Sequence, residues 1–439
     1  MRTEFSAAQL AQPELAEADA IIRKCVHCGF CTATCPTYLE LGNELDSPRG
    51  RIYLMKDMLE NDKPANKEIA LHLDRCLSCL ACTTTCPSGV DYMHLIDMGR
   101  AHVERTYKRP LGDRLTRALV SAVLPHPRRF RLALGAARLG RPLAGAFDAL
   151  GGPFTRLAAM LRLAPHAPLK RADTTAPELA MPRRARVAIL GGCAQSVLDP
   201  GINAATRRLL ARFGVEVFHA AGEGCCGALP HHMGREQEAL ALARNNVDVW
   251  AREIASGLDA VIITASGCGT TIKDYAHLLQ RDPDYAEKAK LVSSKTLDIT
   301  EYLMTLDLPQ QARRGTAVAY HSACSLQHGQ NVTLPPKLLL ERAGFTVRDV
   351  PEGHICCGSA GTYNILQPEI AGRLKERKVR NIESIAPDII AAGNIGCITQ
   401  IASGTAIPIV HTAELLDWAY GGPVPDKLSN MDSRTADAA

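Results

Sequence analysis

The stretch CVHCGFCTATCP at residues 25–36 is matched in spacing by CLSCLACTTTCP at residues 76–87. In each cysteine stretch, two residues separate the first three cysteines, and three more residues precede a fourth cysteine and a proline. This spacing is typical of bacterial ferredoxins, in which the thiolates bind [4Fe–4S] clusters. The sequence therefore predicts an N-terminal region that holds two such clusters.

The fourth cysteine of each stretch is expected to bind the cluster of the other stretch, as in two-cluster ferredoxins. Three thiolates on a tight loop can reach three irons of one cube, and the following proline is expected to lead the fourth cysteine into a helix. The first cluster is thus assigned to Cys25, Cys28, Cys31 and Cys86. The second cluster is assigned to Cys76, Cys79, Cys82 and Cys35.

Disulfides and zinc are the alternative uses of clustered cysteines. Residues 1–20 carry early acids and no apolar core, so they do not resemble a secretory signal. In a reducing compartment clustered cysteines more often bind metals or catalyse reactions than form disulfides. Structural zinc sites usually join two separated cysteine pairs, a spacing that differs from both stretches.

The remaining eight cysteines reveal an internal duplication. Each copy contains one single cysteine, one Cys-Cys-Gly sequence and one further single cysteine. The first copy has Cys193, Cys225, Cys226 and Cys268, and the second has Cys324, Cys356, Cys357 and Cys397. The first three pairs lie 131 positions apart and the last pair 129, so two copies of one structural unit are predicted.

Each cysteine group follows a predicted strand. Apolar runs predict strands at residues 186–190, 215–218 and 259–264 in the first copy, and at 317–320, 345–347 and 388–392 in the second. Helices, for example at 201–213 and 236–255, alternate with these strands, which predicts parallel sheets with right-handed crossovers.

Because parallel strands end at the same edge of a sheet, the four thiols of each copy should converge there. Ligation of a metal or cluster is the favoured interpretation, and buried structural cysteines are the alternative. A disulfide between adjacent cysteines is disfavoured, since neighbouring Cα atoms are only ~3.8 Å apart.

The predicted fold combines α+β and α/β parts. Residues 1–104 form a helical two-cluster ferredoxin-like domain, and residues 105–184 form a basic helical linker. Two duplicated parallel α/β domains with the Cys-Cys-Gly sequence follow at 185–310 and 311–421, and residues 422–439 form a tail.

Positive charge is concentrated in one part of the 439-residue chain. The formal net charge is +4, yet residues 105–171 contain fourteen Lys and Arg and only two acids, Asp113 and Asp148. Residues 115–124 and 128–134 place apolar side chains at helical spacing beside arginines, as in helices that lie on an anionic membrane surface. A helical linker that is solvated or packed against a partner protein is the favoured interpretation, and membrane binding is the alternative.

Two classes of function are disfavoured. Aromatic residues make up 5% of the chain and do not alternate with basic ones, which argues against nucleic-acid binding. The glycines after the first predicted strand, Gly191 and Gly192, do not form Gly-x-Gly-x-x-Gly, and no P-loop is present. Neither a flavin nor NAD is therefore expected on this chain. No apolar run is long enough to span a membrane.

Several residues beside the cysteines are candidates for a supporting role. Ser47 and Pro48 are interpreted as the N-cap and first residue of a helix, and Arg49 and Arg51 in that helix could donate hydrogen bonds to a cluster. His27 could do the same. His321 and His354 precede cysteine groups and are possible ligands, although an ordinary structural role is the favoured interpretation.

The paired cysteine stretches, the segment SPRGRI at residues 47–52 and the duplicated Cys-Cys-Gly domains together resemble the iron–sulfur subunits of bacterial glycolate oxidase. The resemblance covers nearly the whole chain and is weakest in residues 105–184 and after Gly421. The same superfamily includes the small subunit of anaerobic glycerol-3-phosphate dehydrogenase and heterodisulfide reductase.

The resemblance implies an electron-transfer subunit. Flavoprotein partner subunits would oxidise glycolate to glyoxylate, and a quinone or quinone-linked carrier would accept the electrons. Such a subunit is expected in the cytoplasm, held peripherally at the inner membrane face. The alternatives are a subunit of a lactate or glycerol-3-phosphate dehydrogenase, a thiol–disulfide reductase, and a zinc-holding adaptor.

One departure concerns the duplicated domains. In heterodisulfide reductase each copy ends in Cys-x-x-Cys and holds a noncubane cluster, whereas Ala265 and Asn394 occupy the first position of that pair here. Each copy thus offers four thiolates. Whether these domains bind additional iron–sulfur clusters is a question that the sequence does not decide.

Overall fold

The computed structural model describes residues 1–164 and 177–429. Residues 165–176 of the predicted basic linker, which include Lys170 and Arg171, lie outside these ranges, as does the predicted tail from residue 430 onward. Within the described residues the predicted fold class is confirmed: a helical N-terminal region is followed by two parallel-sheet α/β domains.

The N-terminal region consists of short helices around the two cysteine stretches. The helices are α1 (Ala7–Leu10), α2 (Pro13–Lys24), α3 (Pro36–Leu41), α4 (Pro48–Glu60), α5 (Lys67–Asp74), α6 (Ala81–Thr85) and α7 (Tyr92–Thr106). Their apolar faces meet in one core, in which Ile22, Met55, Leu73 and Leu95 are fully buried.

Two of the three prolines predicted to begin helices do so. Pro48 is the first residue of α4, and the Ser47 hydroxyl accepts a hydrogen bond from the Gly50 amide at 3.0 Å. Pro36 likewise begins α3 directly after Cys35. The expectation that Pro87 leads into a helix is wrong, because the chain turns there so that the Val90 amide can donate to the Cys86 sulfur at 3.5 Å. The next helix, α7, begins only at Tyr92.

The described part of the basic linker contains four α-helices, α8 (Leu111–Val123), α9 (Pro127–Gly140), α10 (Ala144–Leu150) and α11 (Pro153–Leu163). Part of its positive charge is neutralised internally. Arg109 and Arg117 are buried and pair with Asp74 at 2.6 and 2.8 Å. No helix in the described parts of the chain is both long enough and apolar enough to cross a membrane.

Alternating strands and helices form the first cysteine-rich domain. Its elements are β1 (Ala185–Ile189), α12 (Gln195–Leu198), α13 (Gly201–Arg212), β2 (Val215–Phe218), α14 (Ala228–His232), α15 (Glu236–Ala255), β3 (Ala260–Ile263), α16 (Ser266–Lys273), α17 (Tyr275–Leu278), α18 (Ala286–Lys295), β4 (Thr296–Asp298) and α19 (Ile299–Leu303).

The second cysteine-rich domain repeats this order. It contains β5 (Ala317–His321), α20 (Pro335–Arg342), β6 (Thr346–Asp349), α21 (Tyr363–Leu366), α22 (Pro368–Glu383), β7 (Ile389–Ala392), α23 (Ile395–Ala402), β8 (Ile409–His411) and α24 (Thr412–Ala419). A π-helical turn at Ser325–Gly329 follows Cys324.

Both sheets are fully parallel and have equivalent strand orders, β2-β1-β3-β4 and β6-β5-β7-β8. The pairing of the first two strands begins at Ala185 and Val215 in the first sheet and at Ala317 and Thr346 in the second. The three predicted strands of each copy are present. The prediction omitted the fourth strands, β4 and β8, because each is only three residues long and carries no periodic pattern.

The two cysteine-rich domains share one hydrophobic core, which includes Val187 and Ile262 from the first and Val318 and Ile389 from the second. Helix α13 packs against α24, and in the equivalent contact α20 packs against α19. This pairing of equivalent elements holds the two copies together as one unit.

The N-terminal region contacts both cysteine-rich domains. Against the first domain, the rings of His94 and His277 stack at 3.4 Å, and His94 lies 3.0 Å from Asp274. Burial opposes a charge on His94, but hydrogen bonds to Asp274 and Asp91 raise its pKa to about 10. Against the second domain, Arg377 pairs with Glu40 at 3.0 Å.

The backbone conformation explains why a glycine follows the two cysteines of each Cys-Cys-Gly sequence. Gly227 and Gly358 have φ of +87° and +86°, a region that other L-residues rarely adopt. A Cβ on Gly358 would lie 2.5 Å from the Ala371 carbonyl oxygen in α22, and one on Gly227 would lie 3.0 Å from the Ala239 oxygen in α15. The glycine therefore lets the cysteine loop approach the neighbouring helix.

We predict that Gly358→Ala lowers stability by about 1–3 kcal/mol, because it adds backbone strain to a steric conflict. Gly227→Ala should cost less, since its conflict is milder. Thermal unfolding of anaerobically purified protein measures both effects. Gly372→Ala, in the interior of α22 with open space around its Cβ, is the matched control and should raise stability by about 0.5–1 kcal/mol. Equal stability of the Gly358 and Gly372 variants would contradict this account.

Candidate metal centres

A first pocket lies between the two cysteine stretches. Four of its lining residues are the thiols assigned to the first cluster, Cys25, Cys28, Cys31 and Cys86. Ile52, Val90 and Tyr92 supply other parts of the wall. Cys28 is exposed, whereas Cys25 is buried, so the pocket reaches the surface on one side.

A second pocket is lined by the thiols assigned to the second cluster, Cys35, Cys76, Cys79 and Cys82. All four are buried. Cys82 and Tyr92 line both pockets and therefore stand between them.

The grouping of the thiols is crossed in both pockets. The first pocket brings three cysteines of the first stretch together with Cys82 and Cys86 of the second, and the second pocket brings three cysteines of the second stretch together with Cys35 of the first. The packing of α6 against the turn at Phe30–Thr32 brings the two stretches into contact. This juxtaposition supports the predicted ligand sets, which remain a proposal about ligation.

Hydrogen-bond donors surround the sulfurs. The Ser78 amide donates to Cys76 at 3.4 Å, and the Tyr92 hydroxyl donates to the same sulfur at 3.8 Å. Such donors stabilise negative charge on sulfur and tune the potentials of clusters. The donor set of four thiols with N–H and O–H partners thus fits an iron–sulfur cluster in each pocket.

Arg51 is the charged group beside the second pocket. Its side chain is 1% exposed, and Nη1 lies 3.9 Å from the Cys35 sulfur. Nε donates to the His72 carbonyl at 2.7 Å, and Nη2 lies 3.5 Å from the Asp46 carboxylate. Arg51 thus belongs to the predicted helix α4 and lies beside Cys35, one of the thiols assigned to the second cluster; its role as a donor to that cluster stays a prediction.

Arg49 and His27 line the first pocket. The Arg49 guanidinium pairs with Glu44 at 2.5 Å and lies over Gly29, while its backbone amide is the group that approaches Cys31. His27 is largely exposed to solvent. The loss of water around the buried part of its ring disfavours the charged imidazolium and lowers its pKa.

Burial raises the pKa of three thiols in these pockets. The pKa of Cys31 rises to about 11, and those of Cys79 and Cys82 lie well above the usual value. Without a metal these thiols are protonated at neutral pH. Binding of a metal must therefore release protons, which makes occupancy depend on pH.

The four thiols of the first cysteine-rich domain converge at the carboxyl edge of the sheet. The sulfurs of Cys193 and Cys225 are 3.6 Å apart, and Cys226 lies within hydrogen-bonding reach of Cys225 and Cys268. Hydrogen bonding with Cys193 and Cys226 lowers the pKa of Cys225 to about 3. This group thus favours one thiolate among neutral thiols.

The second domain places its thiols in the same way. The sulfurs of Cys324 and Cys356 are 3.8 Å apart, and Cys357 lies within reach of Cys356 and Cys397. Hydrogen bonds from Cys356 and Cys397 hold the pKa of Cys357 well below its usual value. His321 joins this group, whereas His354 is half-buried and its carbonyl accepts a hydrogen bond from His328.

The two residues that replace a fifth cysteine have other partners. The Asn394 side chain caps α23 by accepting from the Gly396 amide at 2.8 Å, and it donates to the Ser266 hydroxyl at 2.9 Å. Ala265 is buried at the start of α16.

The second pocket lies against the second cysteine-rich domain. The negative charges that Cys79 and Cys324 would carry as thiolates repel each other, and this raises the pKa of Cys79 further. Cys79, Leu77 and Ala81 belong to the same apolar cluster as Cys356 and Tyr363. The Tyr363 hydroxyl donates to the Arg75 carbonyl at 3.0 Å. The thiols of the first pocket, the second pocket and the second cysteine-rich domain therefore follow one another in space, with the second pocket in the middle.

Comparisons with known proteins identify both kinds of cysteine-containing domain. A family model described as "4Fe-4S dicluster domain" matches residues 21–90, and one described as "Cysteine-rich domain" matches residues 187–273 and 318–402. The chain is 42% identical over 420 residues to the glycolate oxidase iron–sulfur subunit of Escherichia coli (strain K12), covering 95% of this chain and 99% of that protein.

The chain belongs to the family of glycolate oxidase iron–sulfur subunits. Another relative in this family, the probable glycolate oxidase iron–sulfur subunit of Bacillus subtilis (strain 168), is 31% identical and covers 90% of this chain and 94% of that protein. A solved structure of a hypothetical protein from Helicobacter pylori has a TM-score of 0.53 at 11% identity, over 96% of this chain and 75% of that one, which shows similarity of fold alone. Membership of the family confirms that the chain is an iron–sulfur protein.

Sequence reasoning missed the residues that support the sulfurs from a distance in the chain. Asp46 is fully buried and binds His72 at 2.8 Å and Arg75 at 2.9 Å. Tyr92 lies between the two pockets. The nearest signal is the position of Asp46 directly before the SPRGRI segment, and spacing alone does not reveal its partners.

We predict that Cys35→Ala removes the second cluster and leaves the first, although Cys35 belongs to the first stretch. Low-temperature EPR of the reduced protein should show the same missing signal in Cys35→Ala and Cys79→Ala. Cys86→Ala should instead match Cys28→Ala, and each variant should lose about four irons per chain. If the spectrum of Cys35→Ala matched that of Cys28→Ala, Cys35 would be a ligand of the first cluster, and the crossed ligand sets would be wrong.

Proposed function

We propose that this chain is the electron-transfer subunit of a flavin-dependent, membrane-associated glycolate dehydrogenase. The observation that carries the proposal is likeness to a glycolate oxidase iron–sulfur subunit over nearly the full length of both chains, at 42% identity. All the cysteines that line the two crossed pockets lie within residues 21–90, the region matched by the dicluster family model.

The division of labour follows from the chemistry. Oxidation of a 2-hydroxy acid to a 2-oxo acid removes two electrons and requires a base for the hydroxyl proton. When bound, the two clusters would carry electrons one at a time. A flavin can accept two electrons and release them singly, so we assign substrate oxidation to flavoprotein partner subunits.

The arrangement of the residues suits conduction between separate partners. The exposed Cys28 marks the side of the first pocket that is open to a partner, and Cys82 lies between the first and second pockets. Arg51 supplies positive charge beside Cys35, which favours the more negative, reduced form of a bound cluster. We infer that electrons from the flavin pass through these two pockets toward a quinone or quinone-linked acceptor.

We predict that the isolated chain is brown and redox-active but does not reduce dyes with glycolate. Coexpression with its flavoprotein partners should give glycolate-dependent dye reduction. Cys79→Ala should weaken electron delivery to a quinone analogue strongly, because the second cluster is lost while the partner flavin can still be reduced. As the control, glycolate should bleach the flavin of the Cys79→Ala complex to the same extent as that of the wild-type complex.

The same assay identifies the substrate. Glycolate, lactate and glycerol 3-phosphate are compared at equal concentration, and glycolate should give the fastest reduction. Glycolate oxidation by the flavin-free isolated chain would contradict the proposed division of labour. A strong preference for lactate or glycerol 3-phosphate would contradict the substrate.

We further propose that the linker helices hold the subunit at the inner, cytoplasmic face of the membrane. Leu111, Leu115 and Leu119 are 74%, 70% and 55% exposed and recur at helical spacing along α8. The neighbouring helix α9 exposes Leu132 and Leu139. Exposed arginines flank these leucines at positions 114, 128, 129, 131 and 138. Apolar side chains beside arginines suit the interface of anionic lipids.

We predict that the complete subunit floats with vesicles containing anionic lipid at low salt and is released at high salt. Substitution of Leu111, Leu115 and Leu119 together by Ser should abolish flotation, whereas Leu291→Ser, at an exposed leucine of the first cysteine-rich domain, should leave it unchanged. Absence of binding to anionic vesicles at low salt would contradict the membrane proposal without affecting the electron-transfer assignment.

A further inference from the structure

We propose that His321 is a metal ligand and that the second cysteine-rich domain holds a third iron–sulfur centre through this imidazole and its four thiols. The thiols are Cys324, Cys356, Cys357 and Cys397. The inference rests on the proposed electron-transfer function and extends it to a site of mixed nitrogen and sulfur ligands.

His321 is placed for ligation by the sheet. It is the last residue of β5, where its neighbour in register is Ala392 of β7. A ring nitrogen of His321 and the sulfurs of Cys357 and Cys397 all lie within 4.8 Å of one another. Because β5 and β7 are central parallel strands, their carboxyl ends bring the imidazole to the same edge as the thiols.

The imidazole lacks the partners that a buried histidine normally has. His321 is 1% exposed, and among the described residues neither ring nitrogen has an oxygen or nitrogen partner; the group that interacts with the imidazole is the Cys357 sulfur. Burial of an unsatisfied polar group costs on the order of 1–3 kcal/mol, and such groups in proteins usually mark an ion, a water or a functional role. A metal would satisfy the nitrogen that points toward the sulfurs.

The first cysteine-rich domain lacks this feature. By the 131-residue offset, the position of His321 corresponds to Leu190, which is buried and offers no ligand atom. The two copies therefore have the same fold but different donor sets, four thiols in the first and four thiols with an imidazole in the second. The duplication has diverged at the residue that decides which metal centre can bind.

The number of donors favours a cluster over a single zinc ion. Zinc in structural sites takes four ligands, whereas His321 and the four thiols provide five donors at one edge of the sheet. Soft thiolates select zinc or iron–sulfur clusters, and imidazole can replace thiolate on iron in such clusters.

The position of the site also favours a redox centre. Cys324 lies close enough to Cys79 of the second pocket for their charges to interact, and Cys356 shares an apolar cluster with Cys79. The Thr84 hydroxyl lies 2.7 Å from a His328 ring nitrogen on the turn that follows Cys324. A third centre here would adjoin the second ferredoxin-type site.

The test is metal analysis and pulsed EPR on the full chain, purified anaerobically with and without ¹⁵N-labelled histidine. The wild type should contain iron in excess of the about eight atoms of two cubes. One paramagnetic centre should show strong coupling to a histidine nitrogen, and the coupling should change with the label. His321→Ala should lose both the coupling and the excess iron, while the signals of the two cubes stay unchanged.

Two further variants separate ligation from a structural effect. His321→Cys should keep the excess iron and lose the nitrogen coupling. His354→Ala, at a histidine near the same thiols but outside the ligand group, should behave as the wild type.

Several results would overturn the proposal. These are a wild type with only about eight irons, excess iron without coupling to histidine, coupling that persists in His321→Ala, or about one zinc per chain at this site in place of iron. In each case the two cubes and glycolate-dependent activity would persist, so the electron-transfer assignment would stand. Loss of all iron from the wild type would instead contradict both proposals.

Discussion

The crossing of the two cysteine stretches is the constraint on which the N-terminal region depends. Cys35 lies among the thiols of the second stretch and Cys86 among those of the first, so neither pocket can form from one stretch alone. The segment between them, residues 36–75, must fold before both pockets are complete. Since burial keeps several of these thiols protonated without a metal, cluster binding and folding are expected to be coupled.

A buried charge network stabilises this arrangement from within the same segment. Asp46 is surrounded by Arg51, His72 and Arg75, and Arg51 in turn reaches the Cys35 sulfur. Removal of one member of a buried ion pair typically costs about 3–5 kcal/mol, because it leaves an uncompensated charge. The Arg75 carbonyl also accepts the hydrogen bond from Tyr363. The network thus positions a thiol and joins the N-terminal region to the second cysteine-rich domain.

Much of this structure could be predicted from the sequence, because cysteine spacing and apolar runs are local patterns. The ferredoxin spacing predicted both clusters, and the buried central strands predicted both sheets. The short strands β4 and β8 carry too few residues for a pattern. The partners of Arg51 could not be predicted from the sequence. The start of a helix is enough to explain the segment that contains Arg51, and Asp46 and His72 contact its side chain only through tertiary packing. His321 was visible as a residue before a cysteine, but its burial beside Cys357 and Cys397 is a property of the folded chain.

Anomalous X-ray diffraction at the iron edge, from crystals grown anaerobically, tests the crossed arrangement most directly. The account predicts one iron peak beside the sulfurs of Cys25, Cys28, Cys31 and Cys86, and another beside those of Cys35, Cys76, Cys79 and Cys82. A peak ligated by all four cysteines of a single stretch would contradict it.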